Sequence, residues 1–180
     1  MPMNDIKFER RLTDEQIKKE VARIYQKHAQ PYEDETQRPF CQNNLNHWFG
    51  STQQIVPNIT KNMVERFIKV IAPGISYDDI LIFARDSDDP LLFLGGGVLI
   101  TRRNIFWKSY YSPLKKCADL KQIKCFSYQE HGPSAEGSSA EDMGIIYNNV
   151  NFFSFKPIKY FPQRFQDFLN EVLEFLKKNP

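Results

Sequence analysis

The chain has 180 residues, 41% of them hydrophobic and 14% aromatic, which is enough apolar surface for a packed core and argues against a globally disordered chain. Lys and Arg number 24 against 22 Asp and Glu, a net charge of +2, which excludes a wholly basic nucleic-acid-binding chain. Cys41, Cys117 and Cys125 form no CxxC pair, the first residues lack an apolar signal core, and the apolar runs fall far short of the ~20 residues a membrane helix needs, so the expectation is a cytoplasmic chain with reduced thiols.

In chain order, the first helix starts at a capping box, Thr13-Asp-Glu-Gln16, with Leu12 and Ile17 placed as a hydrophobic staple. Ile17, Val21, Ile24, Tyr25 and His28 share one face, and the helix is predicted to run to residue 29. Residues 30–58 are polar and irregular, broken by Pro31, Pro39 and Pro57, yet carry Tyr32, Phe40, Trp48 and Phe49. A second helix is predicted over 60–72, striped by Met63, Val64, Phe67, Ile68 and Ile71 and stopped by Pro73-Gly74. Ser76-Tyr-Asp-Asp79 reads as a cap or turn.

Strands are predicted over 80–85, 91–94, 98–101, 105–111, 116–119 and 122–129. In the 122–129 segment, Ile123, Cys125 and Ser127 alternate with Lys124, Phe126 and Tyr128. Residues 131–142 (HGPSAEGSSAED) are small and polar and read as a loop. Strands at 145–148 and 150–155 flank Asn148-Asn149, a hairpin signal because Asn tolerates the left-handed region. A last helix follows, with Pro162 in its first turn and Phe161, Phe165, Phe168, Leu169, Val172, Leu173 and Leu176 in one stripe.

The order from Pro73 onward resembles the pleckstrin-homology-like (PH-like) fold, in particular its bacterial modules. The residues that carry the resemblance are Ile75-Ser-Tyr-Asp-Asp-Ile80, Gly97-Val-Leu-Ile-Thr-Arg-Arg-Asn-Ile-Phe-Trp107, Ala118-Asp-Leu-Lys-Gln-Ile123 and Ile145-Ile-Tyr-Asn-Asn-Val-Asn-Phe-Phe153. The resemblance implies an α+β fold: an antiparallel β-barrel or sandwich of six to seven strands, closed by a C-terminal amphipathic helix. Residues 1–72 would then be a two-helix extension packed on a PH-like domain at 73–180. It also implies binding rather than catalysis. Members that hold phosphoinositides carry a basic turn between their first two strands, whereas this turn is Asp86-Ser-Asp-Asp-Pro90.

Basic residues concentrate between 98 and 125, where Arg102, Arg103, Lys108, Lys115, Lys116, Lys121 and Lys124 face only Asp119. Such a strip suits an anionic partner, whereas alternation along half-buried strands would equally turn lysines to solvent. The Gly95–Gly97 triplet leads into a strand without a following GK[ST], so it reads as a turn rather than a phosphate loop. Cys117, Cys125 and His131 lack metal-ligand spacing, and Asp86, Asp88 and Asp89 lack the Gly and Glu of a calcium loop. His28, His47 and His131 accompany no nucleophile motif.

The expectation is therefore no catalytic, cofactor or metal site and a module that acts through protein–protein contact. Its candidate contact residues are Arg102, Arg103, Lys108, Lys115 and Lys116 on the strip, and Trp48 and Phe49 on the aromatic arm. An immunity or antitoxin-type inhibitor is one alternative. Anionic lipid or nucleic acid bound by the strip is another.

Overall fold

The computed structural model describes residues 11–29, 53–55, 59, 61–85, 97–108, 115–130, 141–147, 150–155 and 162–180. Helix α1 (Asp14–Ala29) begins where its cap dictates. Thr13 Oγ1 accepts the Gln16 N–H at 3.2 Å, and Gln16 Oε1 accepts the Thr13 N–H at 2.9 Å. Two amides near the helix start are thereby satisfied. Ile17, Val21, Ile24 and Tyr25 are buried, and Leu12 packs against the same cluster. Helix α2 (Lys61–Ile71) ends at Gly74, whose φ of +96° is the left-handed conformation that stops a helix cheaply only at glycine. Ser76 then caps one 3₁₀ turn, Tyr77–Asp79, through a second capping box.

Strands β1 (Gln53–Ile55), β2 (Ile82–Arg85), β3 (Gly97–Ile100), β4 (Asn104–Lys108) and β5 (Lys115–Asp119) form one antiparallel sheet in chain order. β6 (Ile123–Glu130), β7 (Glu141–Tyr147) and β8 (Val150–Phe155) form a second. Helix α3 (Pro162–Lys178) closes the order. The chain is thus α+β. The two ladders share no strand, so among the described residues the sheets stay separate and do not close into a barrel.

Every residue of β3 is buried because the first sheet is covered on both faces. Phe83, Leu99 and Phe106 are register partners and share one face. The Phe83 ring meets Phe67 of α2 at 4.6 Å between centroids. Ile82, Ala84, Val98, Ile100, Ile105 and Trp107 take the opposite face, and all are buried in the cluster that includes Phe126, Phe168 and Leu173. A sheet covered on both sides explains why these strands read as continuous apolar runs.

Three local expectations are corrected. Residues 53–55 lie in the segment read as irregular, yet they pair with β2 as an edge strand, because ladder partners override a polar composition. Residues 141 and 142 were expected to be loop but belong to β7, where Glu141 and Asp142 pair with Glu130 and Gln129. The alternation expected along β6 fails at Lys124: the register shifts between Ile123 and Cys125, and both Ile123 and Phe126 are buried. A bulge adds one residue to the strand and moves everything after it to the other face. The expected strand at 91–94, the loop at 131–140, Asn148-Asn149, and the arm with Trp48 and Phe49 lie outside the described residues.

Helix α3 fixes the site by packing along α1 and β6. The Asn170 side chain grips the backbone of Phe126 in β6: its Oδ1 accepts the N–H at 2.8 Å and its Nδ2 donates to the carbonyl at 2.9 Å. A side-chain amide thus supplies both bonds that a neighbouring strand would make. α1 and α3 run antiparallel. Lys27 and His28, near the end of α1, reach Glu171, whereas Arg11, just before α1, reaches Pro180. The start of α1 and the end of α3 therefore meet at one end of the molecule.

Candidate basic cleft

Four chain segments converge at that end: the entry to α1, the end of α3, the β3–β4 turn and the 3₁₀ turn after β5. Each is fixed by its own hydrogen bonds. In the β3–β4 turn, Thr101 N–H donates to the Asn104 carbonyl at 2.9 Å. Thr101 Oγ1 accepts the Asn104 N–H at 3.0 Å, so a part-buried threonine holds the turn from inside. The second turn, Leu120–Gln122, is capped by Asp119, whose carboxylate accepts the Lys121 N–H at 2.8 Å. Leu120 N–H donates to the Arg103 carbonyl at 2.8 Å and locks the two turns together. At the end of α3, the Asn179 side chain donates to the Phe175 carbonyl at 2.9 Å.

Arg102 ties these pieces together. Its side chain is only 18% exposed. One guanidinium nitrogen meets Asp14 Oδ1 at 2.6 Å, Nε donates to the Asn179 carbonyl at 3.3 Å, and the third nitrogen donates to the Pro180 backbone oxygen at 3.1 Å. Arg11 Nε adds a bond to the same Pro180 oxygen at 2.9 Å. A planar fork of donors suits this task, because one side chain serves a carboxylate and two backbone oxygens at once.

Around this hub lies a cleft of about 580 Å³. Its walls carry Arg11, Arg102, Arg103, Lys121, Lys177 and Lys178 against one side-chain carboxylate, Asp119, and Leu12, Leu120 and Leu176 also line it. Lys177 is paired with Glu174 at 3.1 Å. Among the described residues, the side chains of Arg103, Lys121 and Lys178 have no ion-pair partner, and all three are exposed. On the far side of Arg102 and Arg103 a second cleft of about 770 Å³ sets Asp14, Asp78 and Asp79 among Arg11, Lys18 and the same two arginines, so the charge there is mixed.

The expected basic strip is therefore divided. Arg102 is committed to an internal staple. Arg103 and Lys121 face the cleft. Lys108 is buried on β4, and its register partner on β5 is Lys115. Lys116 is half-buried opposite Trp107, and neither Lys108 nor Lys116 lines the cleft. Arg11, Lys177 and Lys178 complete the wall but lie outside the strip. The sequence signals their helix-end positions without showing that those ends meet.

Perturbed titration occurs elsewhere. At the other end of the α1–α3 seam, the Lys27 ammonium, and after it His28, hold the Glu171 carboxyl below the usual carboxylate range. Lys27 Nζ lies 2.8 Å and His28 Nε2 2.7 Å from Glu171 Oε2. Glu20 is likewise held low by its hydrogen bond from Arg23. Burial first, and then the charge of Asp119, push the Cys117 thiol up, away from the reactive thiolate. Among the described residues no group of three or more His, Cys, Asp or Glu side chains is placed to hold a metal ion, and no helix is long and apolar enough to cross a membrane. No family model, no curated protein and no solved structure matches the chain.

Proposed function

We propose that this chain is a non-enzymatic binding module that acts through protein–protein contact, with the basic cleft as its contact surface. The observation that carries the reading is the set of three exposed cations, Arg103, Lys121 and Lys178, which among the described residues have no ion-pair partner and stand beside a wall of further positive charge. Cations held close together repel one another, and an anionic partner relieves that repulsion while steering its own approach. The segments that hold them are tied by hydrogen bonds in the two turns and at the end of α3, which limits the ordering cost of binding. The element order is the one a PH-like reading expects: antiparallel strands β2 to β5 in one sheet and β6 to β8 in a second are followed by one amphipathic helix. An inhibitor that docks its basic end on an acidic partner would be one form of the same activity.

The test is paired affinity capture from the source cells, with the full chain and with Arg103→Glu/Lys121→Glu. A stoichiometric protein held by the first and lost from the second, with both chains folded by circular dichroism, supports the reading. Equal capture by both removes the cleft as the contact surface.

A further inference from the structure

The chemistry of the cleft narrows the class of partner. We infer that the cleft takes a short, carboxylate-rich peptide segment bearing an apolar side chain, contributed by a partner protein. The inference rests on the cleft being the contact surface, and it identifies what enters.

Three features of the site point to this occupant. The first is size. At about 580 Å³ the cleft is far larger than a lone phosphate or carboxylate needs, and it lies in the range that accepts a small ligand or a few residues of chain. The second is the mixed lining. Arg103, Lys121 and Lys178 stand beside the half-buried Leu12, with Leu120 behind it in the core, so an occupant that satisfies the wall brings both negative charge and an apolar group.

The third feature is the pattern of charge around the cleft. Asp119 sits in its wall, and Glu174, 59% exposed, pairs with Lys177 at its edge. Beyond Arg102, the adjoining cleft sets Asp14, 80% exposed and paired with Arg102, and Asp78 and Asp79 among Arg11, Lys18 and Arg103, so the positive charge is interrupted by carboxylates there. A nucleic acid carries a phosphate at every step of its backbone, and a membrane presents negative charge over a broad plane, so either would be driven against these carboxylates. A peptide places its few charges discretely and can set them between the acidic edges. Arg103 provides a planar fork for a bidentate carboxylate, whereas Lys121 and Lys178 act as point charges. Arg102 is a lesser candidate for recognition, because three of its five N–H donors are already engaged and its side chain is only 18% exposed.

The experiment titrates the full chain with a short peptide alternating Glu and Leu, followed by fluorescence anisotropy at about 50 and 200 mM salt. The comparison ligands are the same peptide with every Glu replaced by Gln, a single-stranded oligonucleotide, and phosphatidylserine-containing vesicles. Variants are Arg103→Glu/Lys121→Glu/Lys178→Glu in the cleft and Arg66→Glu/Lys69→Glu on the exposed side of α2, both checked for folding by circular dichroism. The acidic peptide is expected to bind at low salt and to weaken as salt rises. The Gln analogue should not bind, and the cleft variant should lose about tenfold or more in affinity while the α2 variant changes by less than about threefold.

No binding of the acidic peptide at low salt overturns the inference. Tighter binding of the oligonucleotide or the vesicles than of the peptide also overturns it, whichever residues are involved. Peptide binding that survives the cleft variant overturns both the occupant and the cleft. Loss of a captured partner in the cleft variant, with no peptide binding, removes the occupant and leaves the contact surface standing.

Discussion

The two ends of the α1–α3 seam both carry charged side chains and use them differently. At one end Lys27 and His28 converge on Glu171, and the cluster closes on itself. At the other, Arg102 is closed by Asp14 and two backbone oxygens, but among the described residues Arg103, Lys121 and Lys178 around it have no ion-pair partner. The first end fastens two helices. The second fastens them and keeps a surplus. A local run of charge therefore says little about binding until each group's internal partners are known, and two adjacent arginines make the point. Arg102 is part of the fold, whereas Arg103 faces outward from the same turn.

The sharpest way to break this comparison is Arg102→Ala. The change removes a side chain that joins the start of α1, the β3–β4 turn and the end of α3 through Asp14, Asn179 and Pro180. Charge-assisted bonds to two backbone oxygens, with a small contribution from the exposed Asp14, are expected to cost about 2–3 kcal/mol when lost. Urea unfolding should show a lower midpoint with an unchanged slope. If Arg103→Ala costs as much as Arg102→Ala, the division between the two arginines is wrong.

A smaller effect is expected at the closed end. Glu171→Gln should cost about 1 kcal/mol near neutral pH, discounted because the side chain is 31% exposed. The sign of its pH dependence follows from the depressed carboxyl. Its stabilisation is fully present above the ordinary carboxylate range and is lost as the pH falls through the lowered value in the folded protein. The gap between wild type and Glu171→Gln should therefore close in acid and persist near neutral pH, as read by thermal unfolding across pH. A gap that widens in acid would refute the assignment of Glu171 as an ionised clamp.

Much of the architecture was legible because its signals are local. The Thr13–Gln16 capping box, the Phe-striped last helix and most of the strands from β2 to β8 are written within short windows. What was not legible depends on partners distant in the chain. The edge strand at 53–55 exists because Ile82–Ala84 offers a ladder. The bulge at Lys124 breaks an alternation that sequence periodicity would continue. Asn170 flanks a helical stripe with nothing to mark it as a clamp on Phe126. The cleft is the extreme case. Its cations come from the entry to α1, two turns and the end of α3, and only the antiparallel packing of the two helices brings Arg11 beside Pro180. Charge counting found Arg103 and Lys121 but grouped them with Lys108, which the fold buries.

The smallest expected effect has the most informative sign. Arg103, Lys121 and Lys178 share one wall with other cations and, among the described residues, are not neutralised by ion pairs. Removing any one of them relieves repulsion without breaking an ion pair. Arg103→Gln and Lys121→Gln should each leave stability unchanged or raise it by a few tenths of a kcal/mol at low salt, and the gain should vanish near 1 M salt, where the screening length is about 3 Å; Lys178→Gln also gives up a favourable term with the C-terminal end of α3 and should stay near zero. Denaturant midpoints at both salt concentrations measure it. A structural role requires the opposite sign: loss of stability at both salts. Neutral or positive values would mark three cations that the fold tolerates rather than uses, the pattern expected where a surface is kept for a partner at some expense to stability. Uniform losses would return these residues to the fold, beside Arg102.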